Sequence, residues 1–257
     1  MLTLIRRQTR YNIVGYLRSP RTVFFSFIFP LGLLSLFCST FAKAGTTTKV
    51  NGQVVDAQAF FTGGLIAYAV VVSTFTGVVV LIVTAREGGW LKRFRGTPMP
   101  PTSFHAAQIL YRLVTSVVLA VLMLGFAAVT FGLHLRVLGV LAVLCFTIIG
   151  VFCFVAVGLA LSSWLTTPDM ANAVGSFSIV ILAFISGVFL PTDLLPSWLV
   201  TLASYFPLEP LARSMQLALA VPHGSGFALK PMVVLGCWGI AGLLVARRTF
   251  SWQPLGR

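Results

Sequence analysis

The chain has 257 residues, 58% hydrophobic and only 9% charged, which excludes an ordinary soluble domain with its ~25% of charged residues. Its net charge of +13 does not point to nucleic acid, because the basic residues flank the apolar runs instead of gathering on one face. The runs themselves are continuous and near or above the ~20 residues that span a bilayer core, which excludes an alternating transmembrane barrel and predicts an all-α polytopic membrane protein.

Residues 1–22 carry Arg6, Arg7, Arg10, Arg18 and Arg21. Leu2, Ile5, Ile13, Tyr16 and Leu17 can share one broad helical face, so an interfacial helix lying on the cytoplasmic leaflet and touching membrane lipids is expected. Ser19-Pro20 interrupts it. The first span is expected at 23–41, with Pro30 kinking its middle. The polar stretch 42–59 reads as an external loop holding a small hairpin around Asn51-Gly52. The second span is expected at 60–84, with Ser73, Thr74, Thr76 and Gly77 at its centre as packing or path-lining residues.

The stretch 86–101, REGGWLKRFRGTPMPP, comes next. It joins four basic residues to an apolar edge of Trp90, Leu91 and Phe94, and its prolines end it. The pattern predicts a short amphipathic helix held at the cytoplasmic surface for a partner to touch. Further spans are expected at 109–133, 137–161, 171–190 and 229–246. Arg112 lies one turn inside the third and is expected to snorkel back to the cytoplasmic surface. Prolines 191, 196, 207 and 210 cut 191–221 into apolar pieces too short to span, which reads as external re-entrant or interfacial helices. With six spans and both termini inside, thirteen Lys and Arg fall on the cytoplasmic side and five on the external side, as the positive-inside rule requires.

The chemistry is sparse. Asp56, Glu87, Asp169, Asp193 and Glu209 all fall outside the expected spans, where an ion-coupled transporter places an ionisable group near midplane. There is no HExxH, no GxSxG and no P-loop GxxxxGK[ST], so neither an enzyme nor a nucleotide cradle is indicated. Cys38, Cys145, Cys153 and Cys237 lie in apolar runs without metal or disulfide spacing and read as small core residues. Active transport would therefore draw its energy from another subunit.

Two stretches carry a family resemblance. Arg86-Glu87-Gly88, with Leu91 and Thr97-Pro98, resembles the cytoplasmic segment between spans two and three of the permease subunit of ABC type-2 transporters. Ile185–Pro191, with Leu195-Pro196-Ser197-Trp198-Leu199 and Phe206-Pro207-Leu208, resembles the end of span five and the external helices of that family. The resemblance covers nearly the whole chain as one permease domain. It implies a bacterial cytoplasmic-membrane exporter of drugs, lipids or glycans, with two permeases paired, identical or related. Each would dock on an ATP-binding cassette subunit that holds the ATP and Mg. It further implies docking by Arg86, Glu87, Trp90, Leu91, Arg93 and Phe94, and an external gate region of Leu190, Pro191, Leu195, Pro196 and Trp198. The path-lining candidates in spans two and five are Ser73, Thr74, Thr76, Ser176, Ser178 and Ser186. A stand-alone secondary transporter or channel driven by an ion gradient is the alternative.

Overall fold

The computed structural model describes residues 2–42, 45–50, 53–89, 101–220 and 229–249. Helix α1 (Leu2–Leu17) precedes α2 (Pro20–Phe41), which starts with Pro20 in its first turn, where the missing N–H is no loss. Strands β1 (Thr47–Val50) and β2 (Gln53–Asp56) form an antiparallel hairpin. Val50 pairs with Gln53, leaving a two-residue connection at Asn51-Gly52, as the sequence predicts. Among the described residues the regular structure is helical except for this ribbon.

Span two begins at Ala57 rather than Phe60. Asp56 caps it, its carboxylate accepting from the Gln58 amide at 2.9 Å. The Gln58 side chain then donates to the Ala42 carbonyl at 3.3 Å, tying the hairpin to the end of α2. Removing the cap in Asp56→Ala should cost about 1 kcal/mol. The check is amide exchange in detergent, where earlier exchange of the α3 N-terminus than of the rest is the expected result.

Span two runs as α3 (Ala57–Val71), a π-helical turn (Val72–Thr76) and α4 (Gly77–Glu87). The bulge has a local cause. The Ser73 and Thr74 hydroxyls both donate to the Val70 carbonyl, at 2.9 and 2.6 Å. Such back-bonding competes with the backbone ladder and favours a locally widened turn. The remaining helices are α5 (Pro101–Phe131), α6 (Val137–Ser162), α7 (Pro168–Ile185), α8 (Ser197–Ala203), α9 (Leu208–Ala220) and α10 (Leu229–Thr249). Among the described residues six helical stretches are long and apolar enough to cross a membrane: in α2, α3–α4, α5, α6, α7 and α10.

Helices α5 and α7 also depart from their expected bounds. Helix α5 begins at Pro101, eight residues before the expected third span, because proline is tolerated in a first turn. Helix α7 begins at Pro168 and stops at Ile185; Gly187 then adopts φ +72°, so 186–190 is a turn and not the end of a span. The segment 191–220 divides at Pro196 and Pro207 into a short 3₁₀ turn, α8 and α9, whereas Pro210 sits in the first turn of α9 and makes no cut.

The core forms where α3–α4 and α6 are enclosed by neighbours, with Phe60, Leu65, Ile66, Val79, Phe146 and Val151 fully buried. Helix α2 is peripheral and buries one stripe at a spacing of four: Pro30, Leu34, Cys38 and Ala42. Close approach is set by glycine. A Cβ at Gly63 of α3 would sit 2.6 Å from the Gln216 amide nitrogen of α9, and one at Gly139 of α6 would sit 2.5 Å from the Ala218 carbonyl oxygen. On α10, a Cβ at Gly242 would be 2.8 Å from the Ala156 carbonyl carbon. Helices in lipid associate through such backbone-to-backbone packing, since the tails are as apolar as the side chains. Cys38 and Cys153 are buried core residues as expected, but Cys237 is exposed on α10.

Candidate functional site

The end of α4 is where the docking reading must be tested. Trp90, Leu91, Arg93 and Phe94 lie outside the described residues. Arg86 does not: it is 1% exposed and points inward, which corrects its place among surface docking residues. Its Nη1 donates to the Ser162 carbonyl at 3.0 Å, and its Nη2 donates to the Leu165 carbonyl. The Glu87 carboxylate lies 3.5 Å from its Nε. Ser162 and Leu165 belong to the final turn of α6 and the loop after it, where helix carbonyls have no partner of their own. Arg86 therefore caps α6 from the side and locks α4 to the α6–α7 connection, at a terminus whose dipole favours a cation. Across that connection Thr167 caps α7, accepting from the Met170 amide at 3.3 Å. Glu87 is partly exposed beside it.

The path-lining candidates separate into three groups. Thr74 is fully buried and bonded to its own helix, so it packs and does not line a path. Ser73 and Thr76 face a cavity of about 530 Å³ among α1, α2, the π turn, α4 and α5. The α7 serines lie elsewhere. Ser176 is exposed together with Asn172, Phe177, Val180 and Ile181; Ser178 is half-buried and donates to the Val174 carbonyl at 2.6 Å. Ser186, at the end of α7, is buried with a hydroxyl that has no partner. Gly175 brings α7 against the bulge, a Cβ there meeting Thr76 Cγ2 at 3.2 Å.

At the hairpin end, Leu190 and Pro191 line a second cavity of about 690 Å³ with Phe37, Phe61, Tyr68, Phe184 and Phe189. Phe189 is central to it, stacked on Phe37 at 5.6 Å and edge-on to Tyr68 at 5.3 Å. Leu195 is half-buried, Pro196 exposed, and Trp198 exposed at 67%. The gate stretch thus splits into an aromatic wall and an outward-facing α8. Gln216 fixes the turn between them, its amide donating to the Gly187 carbonyl at 2.9 Å. Nearby, burial of the Glu209 carboxyl pushes its pKa above the usual carboxylate range, opposed by Arg213 at 3.8 Å and by Lys230.

Two participants escaped the sequence reading. Gln216 belongs to none of the sequence motifs. Arg112 was expected at the cytoplasmic surface; instead its Nη1 donates to the Ser73 carbonyl at 2.6 Å, inside the bundle. The π turn explains the difference, because a widened turn leaves carbonyls off the regular ladder and offers one to the guanidinium. The usable signal was a lone span arginine opposite a Ser-Thr-Phe-Thr run.

A family model described as ABC-2 type transporter matches residues 3–219, from α1 almost to the end of α9. No curated protein matches the chain.

Proposed function

The chain belongs to the ABC-2 type transporter family, and on that premise we propose that it is the membrane-spanning permease subunit of an ATP-driven exporter, moving a hydrophobic or amphiphilic cargo such as a drug, lipid or glycolipid. The observation that carries this reading is the Arg86 clamp. Helix α4 leads directly into the basic, aromatic stretch 90–94, and Arg86 ties its end to the α6–α7 connection. A push on 90–94 from a docked ATPase would move spans two, four and five as one unit. Trp90, Leu91, Arg93 and Phe94, with Glu87 at their edge, are the docking residues, and Arg86 transmits. ATP and Mg are held by the ATP-binding cassette subunit and not by this chain.

A second permease, identical or related, would cover α7. That helix exposes Asn172 and Ser176 beside Phe177 and Val180, and exposed polar groups at membrane depth are costly unless another helix or a water-filled path receives them. Ser176 would then face the path between the two permeases, while Leu190, Pro191, Leu195, Pro196 and Trp198 form its external gate region. The aromatic cavity behind Leu190 suits an apolar cargo. The protein would lie in the bacterial cytoplasmic membrane with both termini inside.

The test is co-purification with a P-loop ATPase in mild detergent. The double variant Trp90→Ala, Phe94→Ala should lower cargo-stimulated ATPase activity by about tenfold or more, the effect of removing buried aromatic anchors. Its unfolding midpoint should stay at the wild-type value. Full transport by that variant would remove the docking role. Transport in liposomes without any ATPase, driven by an ion gradient, would replace the reading with a secondary transporter.

A further inference from the structure

Arg112 is a cation held inside the bundle without an anion. Neither the Arg86–Glu87 nor the Arg213–Glu209 ion pair includes it. Its Nη1 is used by the Ser73 carbonyl, and its guanidinium lies 5.2 Å from the Tyr111 ring centroid. Its Nε is enclosed by protein and has no hydrogen-bond partner. Arg112 as a whole is half-buried, and a charge taken partly out of water is costly unless an opposite charge reaches it. The surroundings are built to admit the guanidinium: Gly77 faces it, where a Cβ would lie 2.5 Å from Nη1.

The cavity beside it, about 530 Å³, is far larger than a structural water needs. Its lining also includes Ser26, Thr84 and Thr115. Its other walls are apolar, with Phe27, Leu81 and Leu119. Tyr16 of the basic helix α1 closes one side, its ring 5.8 Å from Tyr111. The same helix carries exposed arginines at positions 6, 7 and 10. A guanidinium without an anion, beside hydrocarbon walls, matches one chemical class.

We propose that this cavity binds an anionic amphiphile, its phosphate headgroup on the Arg112 guanidinium, and its apolar stem along Phe27 and Leu81. The site lies within one permease and needs no ATPase. Its failure would therefore leave the docking reading standing, and the reverse also holds.

The experiment is fluorescence anisotropy of a short-chain, tail-labelled phosphatidic acid against the purified full chain in a neutral detergent. Saturable binding by the wild type is expected. Arg112→Gln should weaken it by about 10- to 100-fold, the span of a charge-assisted hydrogen bond, and Arg112→Lys should restore part of the loss. Thr84→Trp keeps Arg112 and fills the cavity from an exposed position; it should abolish binding at an unchanged unfolding midpoint, and it decides the matter if Arg112→Gln does not fold. Equal binding by the wild type and Thr84→Trp would overturn the proposal. Equal binding of the matching neutral diacylglycerol would do the same, as would displacement by inorganic phosphate at the concentrations at which the amphiphile itself competes.

Discussion

Arg86→Ala is expected to unfold well before the wild type, with a loss of about 3 kcal/mol or more. The substitution strands the Ser162 and Leu165 carbonyls, each now buried or nearly so without the donor it had, and an unmade buried hydrogen bond costs about 1–3 kcal/mol. It also removes the counter-charge of Glu87 and leaves a void the size of a guanidinium. Arg86→Lys should recover only part, because one ammonium cannot span two carbonyls as the planar fork does. A detergent-solubilised thermal melt reads the stability, and limited proteolysis at the α6–α7 connection reads where the structure opens first. The pattern separates the clamp from a docking contact. Trp90→Ala with Phe94→Ala should lose stimulated ATPase and keep its melt, whereas Arg86→Ala should lose both. A variant at position 86 that melts like the wild type and loses only coupling would return Arg86 to the docking surface.

Gly63→Leu should detach α9 from α3. Even the Cβ alone would meet the Gln216 backbone at 2.6 to 2.7 Å, and backbone cannot step aside as a side-chain tip can. Gly63→Ala is the milder probe: overpacking of about 1–3 kcal/mol outweighs the roughly 1 kcal/mol that alanine contributes to helix propensity. The larger side chain should separate the helices, break the Gln216 bond to the Gly187 carbonyl and release the 186–190 turn. Gly125 of α5 supplies the control, since a Cβ there meets nothing within 4 Å. Gly125→Ala should therefore melt at or slightly above the wild type. Disulfide trapping between cysteines placed on α3 and α9 measures the separation directly. Undiminished trapping in Gly63→Leu would show that the two helices tolerate a gap and that their close contact is not what holds α9.

Much of the architecture was legible in the chain because the bilayer leaves little choice. Lipid offers no hydrogen-bond partners, so each continuous apolar run must be helical, and six such runs mean six spans. Local punctuation was equally readable. The turn signal Asn51-Gly52 announced a hairpin, and the strands on either side of it pair; Pro196 and Pro207 separate the short 3₁₀ turn, α8 and α9. Boundaries slipped where caps decide them, as at Asp56 and Gly187.

The candidate sites were legible in kind but not in address. The chain by itself determined that basic and aromatic residues follow span two, that no acid lies in the six expected runs, and that hydroxyls crowd the centre of span two. Only the tertiary structure decided where the long side chains end. Arg86 finds carbonyls 76 and 79 positions away, and Arg112 finds one 39 positions back. An arginine side chain can reach several turns in any direction, so spacing along one helix names its side and not its partner. The partner follows from which helices pack together, and that packing is set by glycines whose backbone contacts lie far off in sequence.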